Sequence, residues 1–326
     1  MAVICCHSGW PTPLIAQYGI MGVSVFFALS GFLITRRLMD GGRIDLADFY
    51  RRRAFRILPP IMAYLAVVAF LGLRLHLIPL DGSQLLGSLF FYRNYQTPSY
   101  FEGWYTGHFW SLAVEEHFYL IWPVLLWWVG FRRARWIAPA MALAVGVWRF
   151  ADGHWDWIGR LNPLLRGSAA RTDYRLDTLL FGCAVALVWD DARVQALMKR
   201  VGGTWLAVSA GVAAVGFEVW KPHGYLSIVA ALMALLPAAT VSKPESLAGR
   251  ILETPQLAWV GRVSYSLYIW QQLFLVPDPV GMWQRPPWTL GLFLCAAASY
   301  YLVERPAIAL GRRLAGDARE KSPQRR

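Results

Sequence analysis

The sequence predicts an all-α integral membrane protein with about ten transmembrane helices, and three observations support this fold class. The chain has 326 residues and is 56% hydrophobic, whereas only 16% of its residues are Asp, Glu, Lys or Arg. Apolar runs that approach the roughly 20 residues needed to span a bilayer recur along the chain. Aromatic residues make up 15%, and they include 17 Trp, a residue enriched at membrane interfaces. A soluble protein of this size could not bury so much apolar surface.

The lengths of the apolar runs place the predicted spans. They cover residues 1–7, 19–36, 57–78, 109–129, 136–150, 176–189, 204–220, 225–241, 257–276 and 288–305. The first run is too short to cross a bilayer, so we expect its helix to begin upstream. The short run 85–92 is interpreted as an interfacial or re-entrant segment. The spans form one transmembrane domain, residues 1–314, and a short polar tail follows at 315–326.

The distribution of basic residues predicts the orientation of the chain. Its formal net charge is +12, which by itself would permit nucleic-acid binding. With the amino terminus inside, however, 23 of the 32 basic residues fall in segments assigned to the cytoplasm, as the positive-inside rule requires. We therefore expect a multi-pass membrane protein with a cytoplasmic C-terminus, surrounded by the lipid bilayer and with no nucleic-acid partner.

The four cysteines predict neither a metal site nor a disulfide. Cys5, Cys6, Cys183 and Cys295 all lie within apolar runs and show no zinc-like spacing. They are interpreted as small buried hydrophobic residues.

Two adjacent glutamates near the start of one apolar helix are the most unusual feature of the chain. Ionisable groups inside a span are costly, and they indicate function by default. Glu115 and Glu116 point about 100° apart on a helix, so we expect one to face a cavity and the other to bind an arginine or cap a neighbouring helix. His108 lies two turns earlier on nearly the same face. The alternative is a charge cluster at the lipid headgroups.

When the predicted spans are followed from a cytoplasmic amino terminus, His7 lies at the outer end of the first helix, on the side of Glu115 and Glu116. A histidine beside a carboxylate can act as a general base towards a hydroxyl, because its pKa is ordinarily near neutrality. The alternative for a lone histidine is an interfacial hydrogen-bonding role. Arg149, Arg175 and Asp177 are predicted to lie on the same side, where they are candidates for substrate binding.

A basic cluster is predicted on the opposite, cytoplasmic side. Arg53 and Arg56 are spaced i, i+3 and can project from one face of a helical turn. Paired guanidinium groups suit phosphates, including those of a nucleotide-like molecule such as coenzyme A. The alternative, preferred for Arg51 and Arg52, is ordinary positive-inside anchoring.

Six short motifs, in order along nearly the whole chain, resemble the acyltransferase-3 family of membrane O-acyltransferases. They are FFALSGFL (26–33), RAFRILP (53–59), FWSLAVEEHFYL (109–120), RLD (175–177), SYSLY (264–268) and YLVERP (301–306). The resemblance implies about ten transmembrane helices and transfer of an acyl group, with acetyl the first candidate, from cytoplasmic acyl-CoA (acetyl-CoA). The implied acceptor is a hydroxyl of a sugar, surface polysaccharide, lipid or secreted metabolite.

The resemblance also implies roles for individual residues. It implies that His7, Glu115 and Glu116 are catalytic residues and that Arg53 and Arg56 bind the acyl-CoA donor. His117 stands where the family commonly has Gln, and the pair 271–272 is Gln-Gln where a histidine is sometimes seen. No metal is implied.

These expectations combine into one mechanism with two rivals. His7, oriented by Glu115 or Glu116, removes a proton from the acceptor hydroxyl, and transfer is either direct or through an acyl-histidine. One rival is a proton-coupled transporter or exporter of a small polar or acylated molecule, and the other is an inactive membrane subunit. The identity of the acceptor, the acyl chain length and homo-oligomerisation are not encoded by any motif.

Overall fold

The computed structural model describes residues 13–96, 103–165, 168–220, 225–275 and 286–320, and within these ranges it contains helices and no strand. The α-helices are α1 (Pro13–Asp40), α2 (Leu46–Ala69), α3 (Gly82–Leu89), α4 (Trp104–Gly107), α5 (Phe109–Val129), α6 (Phe131–Trp155), α7 (Trp157–Leu161), α8 (Thr172–Val188), α9 (Ala192–Val201), α10 (Thr204–Trp220), α11 (Tyr225–Ser242), α12 (Leu247–Leu252), α13 (Pro255–Phe274), α14 (Pro286–Ser299) and α15 (Arg305–Glu320). Short π-helical segments follow α2 (Phe70–Arg74) and α14 (Tyr300–Glu304). The predicted all-α class is confirmed.

Three of these helical segments are long and apolar enough to cross a membrane: Met21–Asp40, Leu46–Arg74 and Tyr225–Ser242. A fourth is added if Ala192–Val201 and Thr204–Phe217, which are bent by 86° at their junction, form one broken span. The total of ten spans stays a prediction, and the first of them, residues 1–7, lies outside the described residues.

Several helices extend beyond the apolar runs that predicted them. The third predicted span was placed at 57–78, yet α2 begins at Leu46, where the Asp45 side chain accepts a hydrogen bond from the Asp48 backbone N–H at 2.9 Å. Run length detects only the apolar part of a helix, whereas a capped polar first turn is equally helical. The basic cluster at 51–56 therefore lies within a regular helix.

One group of helices is organised around α8, which packs against α1, α6 and α11. The contact between α1 and α8 is very close because each helix contributes a glycine. A Cβ atom on Gly31 would lie 2.0 Å from the Leu179 carbonyl oxygen, and one on Gly182 would lie 2.1 Å from the Ala28 carbonyl oxygen. Small residues allow such backbone approach between membrane helices.

A second group consists of α2, α13, α14 and α15, and the apolar face of α5 contributes to the core that joins the two groups. The segment Tyr300–Glu304 places Glu304 in this second group, where the Ser266 hydroxyl donates a hydrogen bond to its carboxylate at 2.9 Å. This hydrogen bond ties Glu304 to α13.

Candidate active site

Glu115 is the buried carboxylate at which α1, α2 and α5 meet. Its side chain is almost inaccessible, and the Ser30 hydroxyl of α1 donates a short hydrogen bond to its Oε1 atom. Arg53 of α2 approaches the same oxygen with Nη2 at 3.4 Å. A buried carboxylate needs such donors, because removing a charge from water costs several kcal/mol.

Tyr119 completes this cluster from the next turn of α5. Its hydroxyl donates to Ser30 Oγ at 3.0 Å, and the Arg53 guanidinium lies over its ring, 3.5 Å from the centroid. Ser30 and Tyr119 were not among the predicted site residues. For Tyr119 the spacing held a signal, because it follows Glu115 by four residues and so shares its helix face.

Glu116 lies beside this cluster but is bonded differently. Its Oε1 atom is buried and has no hydrogen-bond partner within the described ranges, and the same is true of Arg53 Nε. Buried polar atoms are normally hydrogen-bonded. Glu116 Oε1 and Arg53 Nε are therefore an acceptor and a donor to which a further molecule or segment can bind.

A basic cavity of about 430 Å³ opens next to the cluster. It is lined from α1, α2, α15 and the turn between α1 and α2, and its charged residues are Arg37, Arg43, Arg52, Arg53, Arg56, Arg312, Asp40, Asp45 and Asp48. Arg52 is paired with Asp48 at 2.9 Å. With six arginines and three aspartates, the cavity carries an excess of positive charge.

Arg53 belongs to both the basic cavity and the Glu115 cluster, which corrects one expectation. The sequence placed Arg53 and Glu115 on opposite sides of the protein, whereas the two side chains are in contact. Because α2 begins at Leu46, Arg53 lies seven residues into the helix, about 10 Å along its axis at 1.5 Å per residue. Arg56 lines the same cavity and is exposed.

The predicted substrate-binding residues divide into a pair and a separate arginine. Arg149 Nη2 is 2.7 Å from Asp177 Oδ2 and 2.6 Å from Ser227 Oγ, so this buried network joins α6, α8 and α11. Arg175 instead donates from Nε to the Ala169 carbonyl oxygen at 2.7 Å. The pair ties helices together, and substrate binding by the three residues stays a prediction.

A second ionic network fixes the start of α8. Asp152 Oδ2 accepts hydrogen bonds from Arg171 Nη1 and from the Tyr174 hydroxyl, both at 2.8 Å, and Oδ1 accepts from the Ile158 N–H at 2.9 Å. Burial opposes ionisation of this carboxyl, but the three donors outweigh it and hold the pKa of Asp152 below its usual value. Burial and the bond to Asp152 raise the pKa of Tyr174 to about 12.

The histidines have different positions. His7 lies outside the described residues, so its predicted proximity to Glu115 or Glu116 stays a prediction. His108 is held by Gln272 Oε1, 2.5 Å from Nδ1, and by the Ile269 carbonyl oxygen, 3.0 Å from Nε2. His117 Nδ1 is 2.7 Å from the Thr172 hydroxyl oxygen. His108 thus connects the start of α5 to α13, and His117 connects α5 to α8.

Residues 1–303 match the sequence profile of an acyltransferase domain. The chain belongs to the acyltransferase-3 family. This match includes the whole Glu115 cluster and nearly all of the basic cavity, and it confirms the family that the six motifs indicated.

Curated relatives of this acyltransferase-3 chain carry names that refer to O-acetylation. The chain is 27% identical to the peptidoglycan O-acetyltransferase OatA of Listeria monocytogenes, over 94% of this chain and 53% of the relative. It is 30% identical to YrhL of Bacillus subtilis, provisionally named a peptidoglycan O-acetyltransferase, over 89% of this chain and 51% of the relative. A provisionally named O-acetyltransferase of Staphylococcus aureus is 28% identical, over 77% and 45%.

The acyltransferase-3 chain spans about half the length of the curated relatives it matches. No solved structure matches it.

Proposed function

We propose that this acyltransferase-3 chain is a membrane O-acyltransferase that moves an acyl group, in the first instance acetyl, from cytoplasmic acyl-CoA to a hydroxyl of a carbohydrate. The observation that carries the proposal is the position of Arg53, which lines a basic cavity and contacts the buried Glu115. The Arg53 side chain therefore connects a cavity suited to phosphates with Glu115 and Glu116, the carboxylates identified by the motif and by their burial. The names of the relatives support acetyl as the group transferred.

The donor fits the basic cavity by its charge. Arg37, Arg43, Arg56 and Arg312 line the cavity and form no ion pair with any described residue. Guanidinium groups bind phosphates through planar, paired hydrogen bonds. We assign the phosphates of acyl-CoA to this cavity, and the donor then supplies an activated thioester carbonyl to the Glu115 cluster.

The carboxylates and His7 are assigned the proton transfer. His7, oriented by Glu115 or Glu116, takes the proton of the acceptor hydroxyl while the hydroxyl oxygen bonds to the thioester carbon. The carbon–sulfur bond breaks, and His7 returns the proton to the departing sulfur. Holding the two substrates next to each other supplies much of the rate through proximity.

The acceptor and the orientation complete the proposal. We place the protein in the bacterial plasma membrane with its C-terminus and the basic cavity on the cytoplasmic side, where acyl-CoA is available. The acceptor is a sugar hydroxyl of a surface polysaccharide, and the names of the relatives make peptidoglycan the first to test.

The test measures acetyl-CoA consumption by detergent-purified protein through release of free CoA, with Arg53→Ala, Arg53→Lys and His7→Ala beside the wild type. Loss of charge-assisted hydrogen bonds worth about 1.5–3 kcal/mol lowers kcat/KM for acetyl-CoA roughly 10- to 100-fold in Arg53→Ala, and Arg53→Lys recovers part of it. His7→Ala abolishes transfer while acetyl-CoA still binds.

Arg250→Ala is the matched control, because Arg250 is exposed on α12 and does not line the basic cavity. The control keeps the wild-type rate. Equal activity of wild type and Arg53→Ala, or equal loss in Arg53→Ala and Arg250→Ala, contradicts the proposal.

A further inference from the structure

A second, smaller cavity of about 150 Å³ lies between α1, α5 and α13. Its polar lining comes from Ser111, Ser264, Tyr265, Tyr268 and Gln271, and its remaining lining residues are apolar or glycine. Among the described residues, no charged side chain lines this cavity, in contrast to the arginine-rich cavity described above. The lining is therefore suited to a neutral ligand.

This small cavity lies on the far side of the Glu115 cluster from the basic cavity. Its lining residues Phe26 and Ser111 precede Ser30 and Glu115 by four residues on α1 and α5, so each lies one turn away on the same helix face. On α1 the same four-residue spacing continues past Ser30 to Ile34, which lines the basic cavity. The contact between Ser30 and Glu115 thus separates two cavities along one face of α1.

Gln271 gives the small cavity its chemical character. The residue has no exposed surface, and neither its amide nitrogen nor its amide oxygen has a hydrogen-bond partner in the described parts of the chain. The neighbouring Gln272, by contrast, accepts a hydrogen bond from the His108 backbone N–H at 3.0 Å. A buried amide without partners costs free energy, and a ligand in the cavity that both donates and accepts would recover it.

We propose that the small cavity is the subsite for the acceptor and that Gln271 binds a hydroxyl-bearing neutral ligand, a sugar ring, there. A hydroxyl group donates to the amide oxygen and accepts from the amide nitrogen. The thioester group itself carries only acceptors and would leave the Gln271 oxygen unpaired. The pantetheine arm of acyl-CoA has amide N–H donors, so the comparison of KM values below distinguishes a sugar from the donor in this cavity. The rings of Tyr265 and Tyr268 add apolar surface for a sugar ring. Their hydroxyls donate to the Ile57 and His108 carbonyl oxygens at 3.1 and 2.9 Å, so Gln271 is the side chain with unpaired polar atoms in this lining.

The size of the cavity limits what enters it. A volume of about 150 Å³ equals the liquid volume of about five water molecules. The cavity accommodates part of one sugar ring with its hydroxyls, and the rest of the acceptor stays outside. A donor in the basic cavity and an acceptor in the small cavity then meet at the Glu115 cluster, so this inference rests on the proposed function.

Direct binding is the first test, because it does not require turnover. Binding of the soluble probe N,N′,N″-triacetylchitotriose to detergent-purified protein is measured by ligand-observed NMR titration for wild type, Gln271→Leu and Gln256→Leu. Gln256 is exposed near the start of α13, outside both cavities, and provides the matched control. We expect Gln271→Leu to weaken binding 10- to 100-fold and Gln256→Leu to leave it unchanged.

A second variant and a kinetic measurement distinguish loss of the subsite from loss of the fold. Val260→Phe fills the cavity from α13 and also removes probe binding, whereas both Gln271→Leu and Val260→Phe fold with a native melting temperature. In turnover with acetyl-CoA, Gln271→Leu raises KM for the sugar and leaves KM for acetyl-CoA within twofold, as expected of a residue that binds the acceptor.

The outcomes separate the two proposals. Absence of saturable sugar binding by wild type, or equal binding by wild type and Gln271→Leu, overturns the acceptor subsite. A rise in KM for acetyl-CoA alone reassigns the cavity to the donor and also overturns it. Sugar binding that depends on Gln271 without any release of CoA supports the subsite and contradicts the proposed function.

Discussion

Replacing Asp177 by leucine leaves Arg149 as a buried cation without its carboxylate. The two side chains are 2.7 Å apart and nearly inaccessible, and Arg149 also binds Ser227. Removing one member of a buried ion pair costs about 3–5 kcal/mol, which corresponds to a Tm decrease of roughly 6–10 °C at about 2 °C per kcal/mol. Asp177→Asn costs less, because its amide oxygen still accepts from the Thr178 N–H, which lies 2.9 Å from Asp177 Oδ1.

The double variant Arg149→Met/Asp177→Leu distinguishes the cost of one unpaired buried charge from the contribution of the intact ion pair. Since no charge is left buried, we expect it to recover most of the Tm lost in either single variant. Thermal unfolding in detergent, followed by intrinsic fluorescence, compares wild type with Asp177→Leu, Asp177→Asn, Arg149→Met and the double variant. A double variant less stable than both single variants would refute this reasoning. The rate of acyl transfer by the double variant then tests the predicted role of Arg149 and Asp177 in substrate binding. If the double variant is folded but has lost acyl transfer, the two charges are required for activity and not only for stability.

Two further predictions concern helix contact and pH. Gly182→Leu places its Cβ atom 2.1 Å from the Ala28 carbonyl oxygen, so we expect a lower yield and a lower Tm. In the control Gly211→Leu the added Cβ meets no atom within 4 Å, and we expect this variant to be tolerated. The lowered pKa of Asp152 stabilises the fold above the ordinary carboxyl pKa of about 3.9, and this stabilisation is lost as the pH falls through the lower folded-state pKa. Tm measured from pH 6 to pH 3 therefore falls more steeply for wild type than for Asp152→Asn, and parallel curves would contradict the assignment.

The class of the fold and the identity of the Glu115 region were predictable because both depend on local composition. Long apolar runs predicted helices, and two adjacent glutamates in one of them predicted a site. The beginning of α2 was not predictable from apolar runs, since Leu46 to Arg56 is a polar, capped stretch of helix. Arg53 lies in this stretch, so apolar run length gave no indication of its contact with Glu115.

The partners of each predicted residue depended on packing between helices distant in sequence. Nothing local indicated that Ser30, 85 residues before Glu115, donates to its carboxylate. Likewise, Arg149 and Asp177 were expected on the same side, but their direct pairing depends on the close approach of α6 and α8. The unpartnered amide of Gln271 becomes visible only when its neighbours are known, because the sequence shows two identical residues, Gln271 and Gln272, with opposite bonding.

Arg53 can serve the basic cavity and the Glu115 cluster at once because a guanidinium group has five N–H donors. Its bond to Glu115 uses Nη2 at 3.4 Å, and Tyr119 takes the face of the group rather than its edge. Nε has no described partner, so a phosphate in the basic cavity can bind further donors without breaking the contact with Glu115. Lysine has three donors on one atom and no planar face, so it keeps the charge but cannot hold both contacts. On the proposed function, this is why Arg53→Lys recovers only part of the activity that Arg53→Ala loses.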